Sequence, residues 1–265
     1  MSGIECFVGG IALLGPGLPG WAASQAVLSG SEPWQDTPVT IPPPAMLAPV
    51  ERRRTSLVVR LALAVSAEAV GDTGLEAEGL DTVFASSNGD GAVVGAILDA
   101  LAISEGAVSP TQFHNSVHNA AAGYWGIGAR STRPSISLGC HRDSFPMGLL
   151  HAASQVAGRG VPVLFCAYDA PLPEPLAPLH PTDFPFAMAC VLTPERLPCS
   201  RARLTLQYVP TADDAVDPPS AWEEMERGNP AARSLPLLAA LAAGRARTVA
   251  LPLLDGGRLD IEVSP

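Results

Sequence analysis

Residues 134–160 read PSISLGCHRDSFPMGLLHAASQVAGRG, and this stretch decides the fold. Residues 135–138 predict a short strand, and residues 145–159 have the pattern of a helix with Pro146 in its first turn. The stretch is therefore a strand, a tight turn and a helix. Such a turn can expose one side chain at the helix N-terminus, where the helix dipole lowers the pKa of a thiol. Cys140 lies at this turn and is followed by His141.

The histidines around the turn raise two chemical alternatives. Side chains of adjacent residues in an extended chain point to opposite faces, so Cys140 would need a distant imidazole rather than a simple dyad with His141. His114 and His118 are four residues apart and would share one face of a helix, as zinc ligands can. Residues 115–117 contain no glutamate, and no third ligand stands at a recognisable spacing. The sequence predicts no metal site and leaves Cys140 as the candidate nucleophile.

Strand and helix patterns alternate on both sides of this stretch. This alternation predicts an α/β domain with a mostly buried sheet and flanking helices. The expected strands are residues 6–13, 81–86, 135–138, 162–168, 186–192, 204–209, 248–254 and 259–263. The expected helices are residues 21–28, a long helix from near Glu51 to Ala69, and residues 92–101, 145–159 and 230–243.

Composition excludes several classes of partner. The 265 residues carry a net charge of −10, and all the cations are arginines because the chain contains no lysine. Nucleic acid is therefore not expected as a partner, since phosphate neutralisation needs a basic surface. No apolar run is long enough for a membrane span and no basic segment precedes the first apolar run, so we expect a cytoplasmic protein. Five cysteines without a CxxC spacing argue against a disulfide framework.

A glycine-rich turn follows the first predicted strand but does not indicate a cofactor. Residues 15–20 read GPGLPG and match the spacing of a dinucleotide-binding fingerprint. Pro16 and Pro19 lack the backbone N–H groups that a pyrophosphate would need. We therefore expect a plain turn and no cofactor.

Three segments describe the expected domain organisation. Residues 1–209 form the main domain, residues 210–229 an acidic, proline-containing loop, and residues 230–265 a helix and a β-hairpin that pack on the same domain.

The order of four segments carries a family resemblance. A helix segment ERRRTSLVVRLALAVSAEAV precedes the strand segment DTVFASSNGDG, then FHNSVHNAAAGYWGIGARSTRPSISL, and after the turn PMGLLHAASQVAGRGVPVLFCAYDAPLPE. This succession resembles the N-terminal half of β-ketoacyl synthases, members of the thiolase-like superfamily, over about residues 5–209. The resemblance implies a thiolase-like half-fold. It also implies that the turn after residue 138 corresponds to the elbow that carries the family's nucleophilic cysteine, and that a segment similar to HNAAAGYWGI lies near a dimer interface.

The chain departs from the family pattern at the elbow. The resemblance aligns the nucleophile position with Arg142 or Asp143, and these form a degenerate elbow together with Ser144. Neither Arg142 nor Asp143 can hold an acyl group as a thiolate does. Cys140 stands two or three residues too early. The family's catalytic histidines come from its C-terminal half, and His180 lies outside any motif of that kind.

The resemblance therefore implies a non-catalytic, chain-length-factor-like partner of a full-length β-ketoacyl synthase, as in type II polyketide and aryl polyene pathways. Heterodimer formation or self-association would use the segment of residues 113–130. An acyl carrier protein would bind only indirectly, because acidic carriers are repelled by an acidic subunit. The expected interface residues are His114, Asn115, His118, Asn119, Tyr124 and Trp125.

Two other functions stay open at this point. One is a Cys-dependent acyltransferase or thioesterase-like enzyme acting alone, which would use Cys140 with His114, His118 or His141. The other is a structural or regulatory binding protein outside acyl-chain metabolism.

Overall fold

The computed structural model describes residues 3–103, 106–178, 180–210, 221–254 and 256–265. Within these ranges the chain forms one mixed sheet with helices on both faces. The eight strands are β1 (Ile4–Leu14), β2 (Asp81–Ala85), β3 (Ser135–Leu138), β4 (Val163–Asp169), β5 (Phe186–Thr193), β6 (Ala202–Val209), β7 (Arg247–Pro252) and β8 (Arg258–Ser264). Their order across the sheet is β3-β2-β4-β5-β1-β6-β8-β7. β2 is parallel to both β3 and β4, and the other pairs are antiparallel.

Helices cover the sheet from both sides. They are α1 (Trp21–Leu28), α2 (Pro49–Arg52), α3 (Leu57–Gly71), α4 (Gly91–Ala102), α5 (Pro110–Asn115), α6 (Ala120–Ala129), α7 (Ser144–Arg159), α8 (Glu223–Gly228) and α9 (Leu235–Ala243), with 3-10 helices at Ala77–Gly79 and Pro230–Ser234. No helix in the described ranges is long and apolar enough to cross a lipid bilayer.

The central strands explain why the sheet is mostly buried. Every residue of β4 and β5 is buried, because both strands are apolar on both faces. One face of the sheet packs against α1, α7 and α9, and the other packs against α3 and α6. The predicted α/β class and the largely buried mixed sheet are confirmed.

The long helix begins later than the sequence pattern predicts. α2 ends at Arg52, and α3 starts at Leu57 after a short break. Ser56 caps α3 because its hydroxyl accepts the backbone N–H of Val59 at 3.3 Å. A serine hydroxyl satisfies one of the free N–H groups of a first helical turn, so this residue fixes the start of the helix.

The C-terminal part of the chain joins the same sheet. β8 pairs with β6, and β7 pairs with β8. Residues 211–220 of the predicted acidic loop, and Asp255 in the predicted hairpin turn, lie outside the described residues. The rest of the predicted loop contains α8, with Glu223 and Glu224 in its first turn. Acidic side chains favour that end of a helix because of the helix dipole.

The strand ends position the site. β2, β3 and β4 run parallel, so their last residues, Ala85, Leu138 and Asp169, lie at the same end of the strands. The turn from β3 to α7 begins at this end of the strands. β3 is also the outermost strand on one side of the described sheet.

Gly10 allows α3 to pack closely on β1. The pairing of β1 with β5 is irregular between Val8 and Ile11, and a Cβ at Gly10 would overlap the carbonyl oxygen of Ala69 in α3.

Gly10→Ala should lower the free energy of unfolding by about 2 kcal/mol or more, because the backbone of β1 or α3 must move to make room for the Cβ. Denaturant titration measures this. Gly71→Ala is the control, since a Cβ there meets nothing within 4 Å, and it should change stability by no more than about 1 kcal/mol. Equal effects of the two substitutions would contradict the packing.

Candidate functional site: a closed elbow

The turn between β3 and α7 has its bend at His141. His141 has a φ of 52°, in the left-handed region that non-glycine residues rarely adopt. Ser144 closes the turn, because its hydroxyl donates to the carbonyl of His141 at 2.7 Å and accepts the backbone N–H of Cys140 at 3.0 Å. The predicted order of strand, tight turn and helix is therefore observed, and Ser144 holds the turn in shape.

Asp143 is bonded to the C-terminal part of the chain. Its carboxylate forms an ion pair with Arg233 at 2.6 Å and accepts the backbone N–H of Leu254 at 2.9 Å. The side chains of Arg233 and Asp143 are only 10% and 13% exposed. A mostly buried carboxylate needs such partners, because an unpaired charge there would cost several kcal/mol.

Arg142 binds the C-terminal end of α8. Its guanidinium donates to the carbonyl oxygens of Glu226 at 2.9 Å and Arg227 at 3.0 Å. The carbonyl oxygens at a helix C-terminus have no partners within the helix and carry the negative end of the dipole, so a cation is favourable there. Burial lowers the pKa of Arg142, and the nearby guanidinium of Arg233 lowers this pKa further.

Arg142, Asp143 and Arg233 together form what we call the elbow clamp. Arg233 joins the two elbow residues, since it also donates to the carbonyl oxygen of Arg142 at 2.8 Å and to that of Pro252. The clamp fastens α8, the 3-10 helix after it and the end of β7 to the turn. Arg142 and Asp143, which the resemblance predicts at the nucleophile position, thus hold the chain's own C-terminal segment.

Cys140 lacks the surroundings of a nucleophile. Partial burial raises the pKa of its thiol, and the nearby carboxylate of Asp143 raises this pKa further. The reactive thiolate is therefore disfavoured at neutral pH. Cys140 is exposed, and no hydrogen bond in the described part of the chain joins its sulfur to a histidine.

The histidines of the predicted site have other contacts. The Nδ1 atom of His141 accepts the backbone N–H of Arg142 at 2.6 Å, and its ring packs on that of His180 at 4.6 Å between centroids. The Nε2 atom of His118 lies 3.0 Å from the carbonyl oxygen of Ser86. The ring of His114 stands edge-on to Tyr124 at 5.8 Å. Among the described residues, no three His, Cys, Asp or Glu side chains come together as metal ligands could.

Two of the predicted interface aromatics are core residues. Tyr124 and Trp125 are 1% and 2% exposed within the chain itself, so their side chains are not available to a partner in this conformation. Tyr124 donates to the Oδ1 atom of Asn115 at 3.1 Å, and Asn115 in turn donates to the carbonyl of Arg54 at 2.8 Å. Asn119 is exposed. The interface role of the whole segment stays a prediction, but these two aromatic residues serve the chain's own packing.

Asp169 is a site residue that the sequence reasoning missed. It ends β4 and is completely buried. Its carboxylate accepts the hydroxyl of Ser86 at 2.8 Å and the backbone N–H groups of Ser87 at 3.2 Å and Asn88 at 3.0 Å, so it holds the loop between β2 and α4. Burial raises its pKa to about 6 although these hydrogen bonds oppose the rise. The signal was a lone acidic residue at the end of a fully apolar strand.

The elbow clamp should contribute strongly to stability. Asp143→Ala leaves Arg233 mostly buried without its counter-ion, so the free energy of unfolding should fall by about 3 kcal/mol. Glu223→Gln is the matched control because it breaks an ion pair with Arg227 whose side chains are 52% and 71% exposed, and it should cost less than about 0.5 kcal/mol. Chemical denaturation compares the two variants. A small loss for Asp143→Ala would show that the clamp does not hold the segment.

Asp169 should make stability depend on pH. A carboxyl whose pKa is higher in the folded chain than its ordinary 3.8 binds more protons when folded, so it stabilises at low pH. This contribution should be lost as the pH rises from about 4 to about 6. The free energy of unfolding of the natural chain minus that of Asp169→Asn should therefore fall by about 2 kcal/mol between these two pH values. Urea titrations at a series of pH values test this, and a difference that rises with pH would contradict it.

Comparisons with known proteins give the family and the fold. The sequence profile of the family "Beta-ketoacyl synthase, N-terminal domain" matches residues 21–251. A comparison with curated proteins finds no match.

Three solved structures illustrate the likeness. The ketosynthase ApeO in complex with its chain length factor ApeC from Xenorhabdus doucetiae contains a chain that matches with 21% identity and a TM-score of 0.73, covering 97% of this chain and 99% of that chain. The ishigamide ketosynthase/chain length factor matches with 17% identity and a TM-score of 0.75, covering 98% and 99%. A β-ketoacyl synthase from Burkholderia phymatum matches with 14% identity and a TM-score of 0.62, covering 92% and 71%.

These likenesses confirm the ketosynthase-like, thiolase-type fold. The first two matched chains are covered almost completely, so chains of about this extent exist with this fold. With the profile match over most of its residues, the chain belongs to the family of β-ketoacyl synthase N-terminal domains.

Proposed function

We propose that this chain is a non-catalytic, chain-length-factor-like subunit that pairs with a full-length β-ketoacyl synthase in the cytoplasm. The product would be a polyketide, an aryl polyene or a fatty-acid-like chain. Condensation needs a thiolate that holds the acyl chain and groups that stabilise the oxyanion. The side chains of Arg142 and Asp143 are bonded within the elbow clamp, and the pKa of the Cys140 thiol is raised. The partner would therefore supply both the thiolate and the groups that stabilise the oxyanion.

The observation that carries the proposal is the surface of α4. Its sequence, GAVVGAILDALA, contains one charged residue, yet the only buried residues of this helix are Gly91 and Gly95. A helix that is apolar on all sides is normally buried, because exposed apolar surface is unfavourable in water. α4 therefore has the character of a helix that a second protein covers.

The exposed side chains of α4 continue onto α5. We call this surface the apolar patch, and α4 and α5 pack against each other beneath it. Patches of this kind mark protein interfaces in soluble proteins. The apolar patch consists of Leu98, Leu101, Ile103, Phe113 and Val117, whose exposed fractions are 48%, 62%, 67%, 68% and 48%.

The edge of the sheet offers a second attachment. Among the strands that the structure describes, β3 pairs only with β2 and has no partner on its other side. The carbonyl oxygens of Pro134 and Leu138 accept the backbone N–H groups of Thr82 and Ser86. Because the direction of backbone groups alternates along a strand, those of Ser135 and Ser137 point outward, away from β2. An open edge can pair with a strand of another chain. α6 packs against β3, Tyr124 of α6 is bonded to Asn115 of α5, and α5 packs against α4, so these helices connect the edge strand to the apolar patch.

Two further facts support a synthase as the partner. The first two solved structures named above are complexes of a ketosynthase with a chain length factor. The net charge of −10 disfavours direct docking of an acidic carrier protein, so carrier binding would fall to the synthase.

Association should depend on the apolar patch. When the chain is co-expressed with a full-length synthase, the two should copurify, and Leu101→Gln with Phe113→Gln should weaken the complex at least about tenfold, because both exposed side chains would lose apolar burial. Leu254→Gln, which changes an equally exposed apolar residue outside the apolar patch, is the control and should have little effect.

Sizing of the chain alone tests self-association through the same surface. If the natural chain fails to bind the synthase, or forms only a homodimer that the two substitutions leave intact, the proposal is wrong.

Cys140 should be dispensable. In a reconstituted pathway, Cys140→Ala in this chain should leave the product yield unchanged, because its thiol is not activated. Replacement of the partner synthase's own nucleophile, as the control, should abolish the product. Loss of product with Cys140→Ala in a complex that still assembles would favour the Cys-dependent acyltransferase instead.

A further inference from the structure

A second surface of the molecule carries an unassigned pocket. It is a cavity of about 760 Å³ that lies between the turn after β1, the residues before β5, and α8. It is remote in sequence from the apolar patch. Its lining combines aromatic rings from Trp34, Phe184 and Trp222 with the carboxylates of Glu32, Asp36, Asp183 and Glu224.

The aromatic walls are held in place. The indole N–H of Trp34 donates to the carbonyl of Pro16 at 2.9 Å, and Gly17, with a φ of 67°, leaves room for this close approach because a Cβ there would lie 2.7 Å from the indole nitrogen. The wall that carries Phe184 is fixed by Asn229, whose amide donates to the carbonyl of Phe184 at 2.7 Å. A binding surface that is ordered in advance loses little entropy when a ligand enters.

Among the described residues, the pocket is lined by four carboxylates and by no cationic side chain. No arginine lines it, and none of its four carboxylates belongs to an ion pair of the described residues. Aromatic faces attract cations through their ring quadrupole, most strongly Trp. A guanidinium suits such a site best, because it stacks flat on an aromatic ring while its N–H groups bind carboxylates in pairs.

We propose that this pocket binds a single arginine side chain presented by a second protein. The cavity is open and its carboxylates lie at an exposed rim, whereas small-molecule sites enclose most of their ligand. The charge of the pocket is complementary to a basic segment. The inference does not depend on the proposed function, because the side chain alone can be tested on the isolated chain.

Binding can be followed on the four tryptophans by NMR of their indole N–H groups. Nα-acetyl-arginine amide should bind in the millimolar range and shift the signals of Trp34 and Trp222, but not those of the core residues Trp21 and Trp125. Nα-acetyl-citrulline amide, a neutral molecule of the same shape, should not bind. Asp36→Asn with Glu32→Gln should weaken arginine binding at least about tenfold, since both remove charge at the rim. The control Glu76→Gln, an exposed carboxylate elsewhere, should not.

Three results would overturn the inference. They are the absence of saturable binding by the arginine amide in the millimolar range, equal binding of the citrulline amide, and equal shifts at all four indoles. Micromolar binding of a small free dication such as agmatine would instead identify a small-molecule site and would also refute the assignment to a protein side chain.

Discussion

The ion pair between Asp143 and Arg233 is the interaction on which the rest of this structure depends. Both side chains are mostly buried, so each requires the other. Asp143 begins the helix that covers one face of the sheet, and Arg233 belongs to the segment that leads into α9 and the last two strands. The pair therefore joins the centre of the chain to its C-terminal part. Arg142 strengthens the same connection by binding the end of α8. The turn between β3 and α7 therefore connects two distant parts of the chain.

This joint limits what the chain can do alone. A catalytic elbow must leave its side chain free to react, and it needs imidazole or amide donors aimed at the same point. The elbow clamp uses both side chains at that position, and the histidines near it contact backbone groups or other rings. The apolar residues of α4, by contrast, are only half-buried or exposed among the described residues. The elbow and α4 lie at the same end of the sheet. The proposed role as a partner subunit accounts for both features.

The sequence allowed the fold class, most strands and the turn after β3 to be predicted, because long apolar runs and a strand-turn-helix order are local patterns. The family was predicted from the order of four longer segments. Five features needed the structure. The break before α3 depends on one serine cap, and α8 lies in a segment whose charge and prolines indicated a loop. Tyr124 and Trp125 pack inside the chain, although their neighbours had indicated an interface. Asp143 and Arg233 are 90 residues apart, and Asp169 binds a loop more than 80 residues earlier. Contacts over such separations leave no local pattern.

The most direct test of a non-catalytic elbow is intact mass spectrometry after incubation with an acyl thioester. The isolated chain should gain no acyl mass at neutral pH, because its exposed thiol has a raised pKa and no histidine bonded to it among the described residues. In the complex with a synthase, the acyl group should be found on the synthase alone. An acyl adduct on Cys140 of the isolated chain, formed at a rate that exceeds that of a free thiol, would contradict the account.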